Sequence, residues 1–169
     1  MKRILFYFLM FILSLSLTGA VFAQSEGKIG YVDLSRAFDE YEKTKDFDKA
    51  LEKKGDLKQE QREDLVKDIR KMRDEIDLLN EKAKGKKEKD IEEKIRFLQE
   101  FDQNAKAELT KERDDMVRDI LKEMNGVIQD YGENHGYSII LNERILLYGE
   151  KSRDLTEEII KILNDNYKE

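Results

Sequence analysis

The chain has 169 residues, of which 41% are charged, with 38 Asp and Glu against 32 Lys and Arg and with neither proline nor cysteine. The acidic balance argues against nucleic acid as a partner, since that calls for a basic footprint. The missing cysteine excludes disulfide staples, the missing proline leaves nothing that forces a break in a long helix, and a single histidine cannot build a multi-histidine metal site within one chain.

Met1 to Ala23 has the three parts of a secretory signal peptide: Lys2 and Arg3, the apolar run Ile4 to Leu17, and Val21-Phe22-Ala23 at the processing site. Cleavage is expected after Ala23, with Ala20 as the alternative. Retention as an anchor is the competing reading, because the run approaches the roughly 20 residues a membrane span needs. No cysteine follows the leader, which excludes lipid attachment there. Without the leader the balance is 30 basic against 38 acidic residues, a net of −8, and few core formers remain. A compact domain of that length needs more apolar surface to offset its ordering entropy. The mature protein is therefore disordered, elongated or oligomeric, and its regular helical periodicity argues against disorder.

Lys28 to Asp33 is short, partly β-branched and aromatic, and reads as a strand. Asp33 stands where an N-cap belongs, before Leu34. Helix is expected from about Leu34 to Ala83 and again from about Asp90 to Asn134. An apolar seam at Leu65, Ile69, Met72, Ile76 and Leu79 advances by alternate steps of four and three. It resumes at Ile91, Ile95, Leu98, Phe101 or Asp102, Ala105 and Leu109, then at Met116, Ile120, Met124, Val127 and Tyr131. This is a narrow seam of coiled-coil type, and the charged residues on the other faces often stand at i,i+4 spacing.

The seam lapses over residues 82–89, where Gly85 is the only local breaker. A turn there folds the arms into an antiparallel hairpin, each about 65–75 Å long. The competing reading is one helix of roughly 150 Å. Lys82, Lys84, Lys86, Lys87 and Lys89 face only Glu88 in this stretch, a local net of +4. Such a basic tip is either a contact for an anionic membrane surface or acidic clients, or a soluble loop that discourages aggregation. The seam is also thin between Phe47 and Leu65, and Gly55 there is either a flex point or an exposed glycine of no consequence.

Gly136 marks a helix stop, with His135 placed to complement the helix dipole. Tyr137 to Leu141 is read as a strand, Asn142-Glu143-Arg144 as a turn and Ile145 to Tyr148 as a further strand. Asp154 and Glu157 open a last helix that runs to about Tyr167. The strands therefore lie at opposite chain ends with the hairpin inserted between them. The fold class is α+β and mostly α. A small β-rich body (24–46 and 125–169) carries the hairpin (47–124). Strands apolar on both faces want another layer or another subunit. A homo-oligomer is expected through Ile29, Tyr31, Val32, Ile139, Ile140, Leu141, Ile145, Leu146 and Leu147. Acidic pairs such as Asp114-Asp115 match a solvated helix face, and no phosphate-binding glycine loop is present. No catalytic, cofactor-binding or metal-ligating set is expected.

Both chain ends resemble the Skp/OmpH-like periplasmic chaperones. The resemblance rests on Lys28-Ile-Gly-Tyr-Val-Asp-Leu-Ser-Arg-Ala-Phe38 after a signal peptide, on Gly136-Tyr-Ser-Ile-Ile-Leu-Asn142, on Ile145-Leu-Leu-Tyr148, and on Asp154-Leu-Thr156 opening the last helix. It implies three chains joined through the small body, with helical tentacles around a cavity. It also implies ATP-independent holding of unfolded outer-membrane proteins in the periplasm. Under that reading Phe47, Leu57, Phe97 and Phe101, at the edge of the seam, are the expected client contacts. The best-known family members are basic and this chain is acidic outside the tip, so no lipopolysaccharide site is carried over. A structural adaptor of an envelope assembly is the alternative, because hairpins of this shape serve several ends.

Overall fold

The computed structural model describes residues 27–168, so the expected leader and its cleavage site lie outside the described residues. Strand β1 (Lys28–Val32) is followed by the short helix α1 (Leu34–Glu40) and the long helices α2 (Glu42–Ile76) and α3 (Glu81–His135). Strand β2 (Tyr137–Asn142), two single turns of 3-10 helix (Glu143–Ile145 and Lys151–Arg153) and helix α4 (Thr156–Lys168) complete the chain. Strands β1 and β2 pair in parallel, with Ile29 opposite Ile139 and Tyr31 opposite Leu141. The hairpin of α2 and α3 is thus an insertion between two neighbouring strands. Among the described residues no helix is long and apolar enough to cross a membrane.

The local signals at the two ends act as expected. The Asp33 carboxylate accepts from the backbone N–H groups of Ser35 and Arg36, both at 3.0 Å, and fills two donors that a helix start leaves open. At the far end of α3, Gly136 adopts φ 72°, a left-handed conformation that glycine takes without a Cβ clash. Asp154 accepts from the N–H of Thr156 at 3.0 Å. In return the Thr156 hydroxyl accepts from the N–H of Asp33 at 2.9 Å, which ties the first helix start to the last.

Three expectations are corrected. The first helix is interrupted at Tyr41, whose ψ of 124° takes it out of the helix. No glycine or proline causes this. The Tyr41 side chain is fully buried and its hydroxyl donates to Glu123 at 2.7 Å, while Asn164 of α4 accepts from the N–H of Glu42 at 2.8 Å. Tertiary contacts here outweigh helix propensity. The reversal of the hairpin comes earlier than expected, at residues 77–80, and residues 82–89 are helical. Asn80 explains the shift: its side chain accepts from the N–H of Ala83 at 3.0 Å and starts α3. Gly85 is simply carried within the helix. Finally, Ile145 to Tyr148 is not a strand. Ile145 closes a 3-10 turn and Leu146 is extended, but nothing among the described residues pairs with this segment, and a strand exists only with a partner for its backbone groups.

The core sits where both chain ends meet the base of the hairpin. Val32, Ala37, Tyr41, Ile120, Met124, Leu155, Ile159, Ile160 and Leu163 form one buried cluster. Leu155, just before α4, and Ile159 and Leu163 within it recur every four residues and put one stripe into it. A fully buried side chain of this kind contributes about 1.5–3 kcal/mol. Ile120 and Met124 come from α3, so the base of the hairpin and the body share one core.

Candidate functional site

Several exposed apolar residues lie on the body. Ile29 and Ile139 stand opposite each other in the sheet and are 43% and 48% exposed. The unpaired segment adds Ile145, Leu147 and Tyr148, which are 69%, 107% and 85% exposed. Among the other expected assembly residues, Ile140, Leu141 and Leu146 are half-buried, while Tyr31 and Val32 are buried within the chain itself. Val32 belongs to the core cluster, and Gly149 packs against the Tyr31 ring so closely that a Cβ would stand 2.6 Å from it. Tyr148 is absent from the expected assembly residues although it closes the same apolar run. Its exposure beside Leu147 is what the sequence does not disclose.

The second surface is the arm. At its base the Glu123 carboxylate receives the Tyr41 hydroxyl and, at 2.5 Å, the Lys43 ammonium. Partial burial works to raise its pKa, but these two donors outweigh it and hold the carboxyl below its ordinary value. Farther out, Lys54 pairs with Glu108 at 2.8 Å and with Glu112 at 2.5 Å. Lys58 also reaches Glu108 at 2.9 Å, and Arg62 reaches Asp102 at 3.0 Å. The two lysines hydrogen-bonded to Glu108 push its pKa down to about 2. These pairs cross from one helix to the other, which spacing along a single helix cannot predict.

The expected client contacts are divided among several settings. Leu57 and Phe97 are 59% and 52% exposed. Phe97 borders a shallow groove with Met72, and Phe47 borders another with Met116. Phe101 is half-buried beneath the Lys58 ammonium, 5.9 Å from the ring centre. The sequence reading assigns both methionines only to the seam. Their place at its edge, next to an aromatic residue on the facing helix, emerges from the arm pairing.

The expected basic tip is changed in shape. Lys82, Lys84, Lys86 and Lys89 run along the first turns of α3, and Lys87 pairs with Glu75 at 2.6 Å. That hydrogen bond and charge hold the Glu75 carboxyl below its ordinary pKa. The outermost residues are instead Asp77, Leu78, Leu79 and Asn80, with Leu78 86% exposed. Arg73 and the five lysines stand among Asp74, Glu75, Asp77, Glu81 and Glu88, so the charge at the end of the arm is close to balanced. His135, in the last turn of α3, stacks on Tyr131 with ring centres 4.0 Å apart, and its Nδ1 lies 2.9 Å from the Tyr131 carbonyl oxygen. That engagement agrees with a helix-end role.

Residues 28–163 match the family described as outer membrane protein (OmpH-like). No curated protein matches the chain. Among solved structures, an OmpH-like protein from Caulobacter crescentus CB15, for which an outer membrane chaperone role is proposed, superposes with a TM-score of 0.71 at 14% identity, covering 82% of this chain and 84% of that one. Such a likeness carries the fold, and the family match over most of the chain carries the kinship. The chain belongs to the OmpH-like family.

Proposed function

We propose that the protein is an ATP-independent periplasmic holdase that binds unfolded outer-membrane proteins between helical hairpins and prevents their aggregation before assembly. The observation that carries this reading is the arm itself, two long helices that leave the body and keep Leu57 and Phe97 exposed. Many weak apolar contacts of this kind hold a chain without selecting one folded shape, and they let it go again. The test is aggregation of a denatured β-barrel membrane protein, with and without stoichiometric amounts of this protein and without ATP. Suppression is expected, and its absence would refute the holdase.

A cavity needs several arms. The body (24–46 and 125–169) is the assembly module in this reading, and the hairpin (47–124) is its tentacle. The uncovered apolar residues Ile29, Ile139, Ile145, Leu147 and Tyr148 and the unpaired segment that carries three of them support a homotrimer joined at the body. Sedimentation equilibrium on the mature protein should give a trimer, and a monomer would contradict the cage. The leader is cleaved after Ala23 in this account, so N-terminal sequencing of the exported protein should begin at Gln24. Lys82, Lys84, Lys86, Lys87 and Lys89 are a weaker candidate for contact with an anionic membrane surface, given the acids among them. Replacing all five with glutamine should lower association with anionic vesicles, and unchanged association would remove the contact.

A further inference from the structure

Two grooves on the arm repeat one composition. The distal groove sets Met72 and Phe97 among Asp90, Glu93 and Lys94. The proximal groove sets Phe47 and Met116 among Asp115, Asp119 and Lys111, with two further glutamates on its wall. Each groove therefore holds one phenylalanine, one methionine, one lysine and more carboxylates than cations. Their volumes are similar, about 440 and 470 Å³. Phe47 and Met72 are separated by about seven helical turns, and Phe97 and Asp115 by about five. Whole numbers of turns on both helices put the two grooves on the same flank of the hairpin, roughly 27–38 Å apart.

We infer that this flank selects cationic unfolded segments, in which an apolar side chain is bracketed by lysine or arginine. The inference rests on the holdase reading and names its substrate class. An apolar anchor enters between phenylalanine and methionine, whose flexible thioether adapts to many shapes. The bracketing cation then reaches carboxylates that are open to it. Asp90, Glu93 and Asp119 make no ion pair among the described residues, whereas the proximal Glu112 is engaged by Lys54. The ring face of an exposed phenylalanine offers a second contact to the same cation. The acidity of the whole chain, net −6, favours encounter with such segments and repels anionic ones.

The test uses two fluorescent, unstructured peptides that share one spacing of leucine and phenylalanine, one interleaved with lysine and the other with glutamate. Titrated into the purified protein at low salt, the lysine peptide should bind on the order of tenfold tighter, since several exposed charge contacts each add a factor of a few. The ratio should fall toward one as added salt screens the charges. The combined variant Asp90→Asn, Glu93→Gln, Asp119→Asn should lose most of the preference. The opposite variant, Lys94→Glu with Lys111→Glu, should enlarge it, a gain that misfolding cannot produce. Equal binding of the two peptides, or a ratio that neither variant moves, overturns the inference and leaves the holdase standing. If neither peptide binds and the denatured β-barrel protein aggregates as before, both fall together.

Discussion

The base of the hairpin and its middle are held together by different physics. At the base, Tyr41, Ile120 and Met124 are fully buried against Ile159 and Leu163 of α4. Between Thr44 and Ile69 on α2, and between Ile91 and Ile120 on α3, no residue is buried. Half-buried apolar side chains and the pairs of Lys54, Lys58 and Arg62 with Glu108, Glu112 and Asp102 span that stretch. Exposed ion pairs contribute little each and are weakened by salt, whereas burial in the core contributes kilocalories per side chain. The difference teaches that rigidity ends near the body, and that the arm beyond it can reshape at small cost. A holder of many unlike chains is served by that division.

The contrast can be broken most sharply at the core. Ile159→Ala should destabilise the protein by about 2–5 kcal/mol, the range for a large side chain removed from a packed interior, and denaturant unfolding would measure it. Phe97→Ser, on the exposed flank of the arm, should leave the midpoint within about 0.5 kcal/mol while weakening client holding.

A smaller effect is expected at the junction. Asn164 accepts from the N–H of Glu42 and lies 3.5 Å from the Glu40 carbonyl, so it caps the start of α2 from another helix. Asn164→Ala should cost about 1 kcal/mol, as for other caps. It should also broaden the distribution of arm angles, which spin-label distances between body and tip would record. Gly55 works in the other direction. It sits inside α2, and a Cβ added there would meet nothing within 4 Å, so Gly55→Ala should stabilise the arm by about 0.5–1 kcal/mol. Hydrogen exchange around residue 55 would slow accordingly.

The subtlest effect is that of pH. Two lysines depress the Glu108 carboxyl from 4.5 to about 2, so its ionised form favours the closed arm. A depressed acid gives its stabilisation in full above the unfolded value and loses it as pH falls. The arms should therefore loosen at mid-length between about pH 4.5 and pH 2, before the core is affected by this group. The chain has no native cysteine, so spin labels introduced at Glu60 and Gln103 would report the separation. Glu108→Gln should abolish that pH dependence in this window.

Much of the layout is legible in the sequence because its signals are local. Asp33, Gly136 and Asp154 each act on backbone groups within a few residues, and each stands at the boundary expected of it. The two end strands follow from their β-branched and aromatic runs. What escapes the sequence is set by distant partners. Tyr41 leaves the helix because Glu123 and Asn164 hold it there. The reversal at 77–80 is hidden because Leu78 and Leu79 prolong the apolar pattern and Gly85 looks like the only breaker. Ile145 to Tyr148 has the composition of a strand and no edge among the described residues to pair with. The cross-arm ion pairs depend on how two helices face each other, and a spacing rule within one helix says nothing of that. The same limit applies to the candidate site: its aromatic residues are legible, but the methionines and carboxylates that accompany them are brought there by pairing.

Native-state hydrogen exchange, read segment by segment with and without an unfolded β-barrel client, tests the central contrast most directly. Amides in the middle of α2 and α3 should exchange faster than those of residues 120–128 and 156–163, and should gain protection when the client is bound. An arm as protected as the base, and unchanged by the client, would contradict the account.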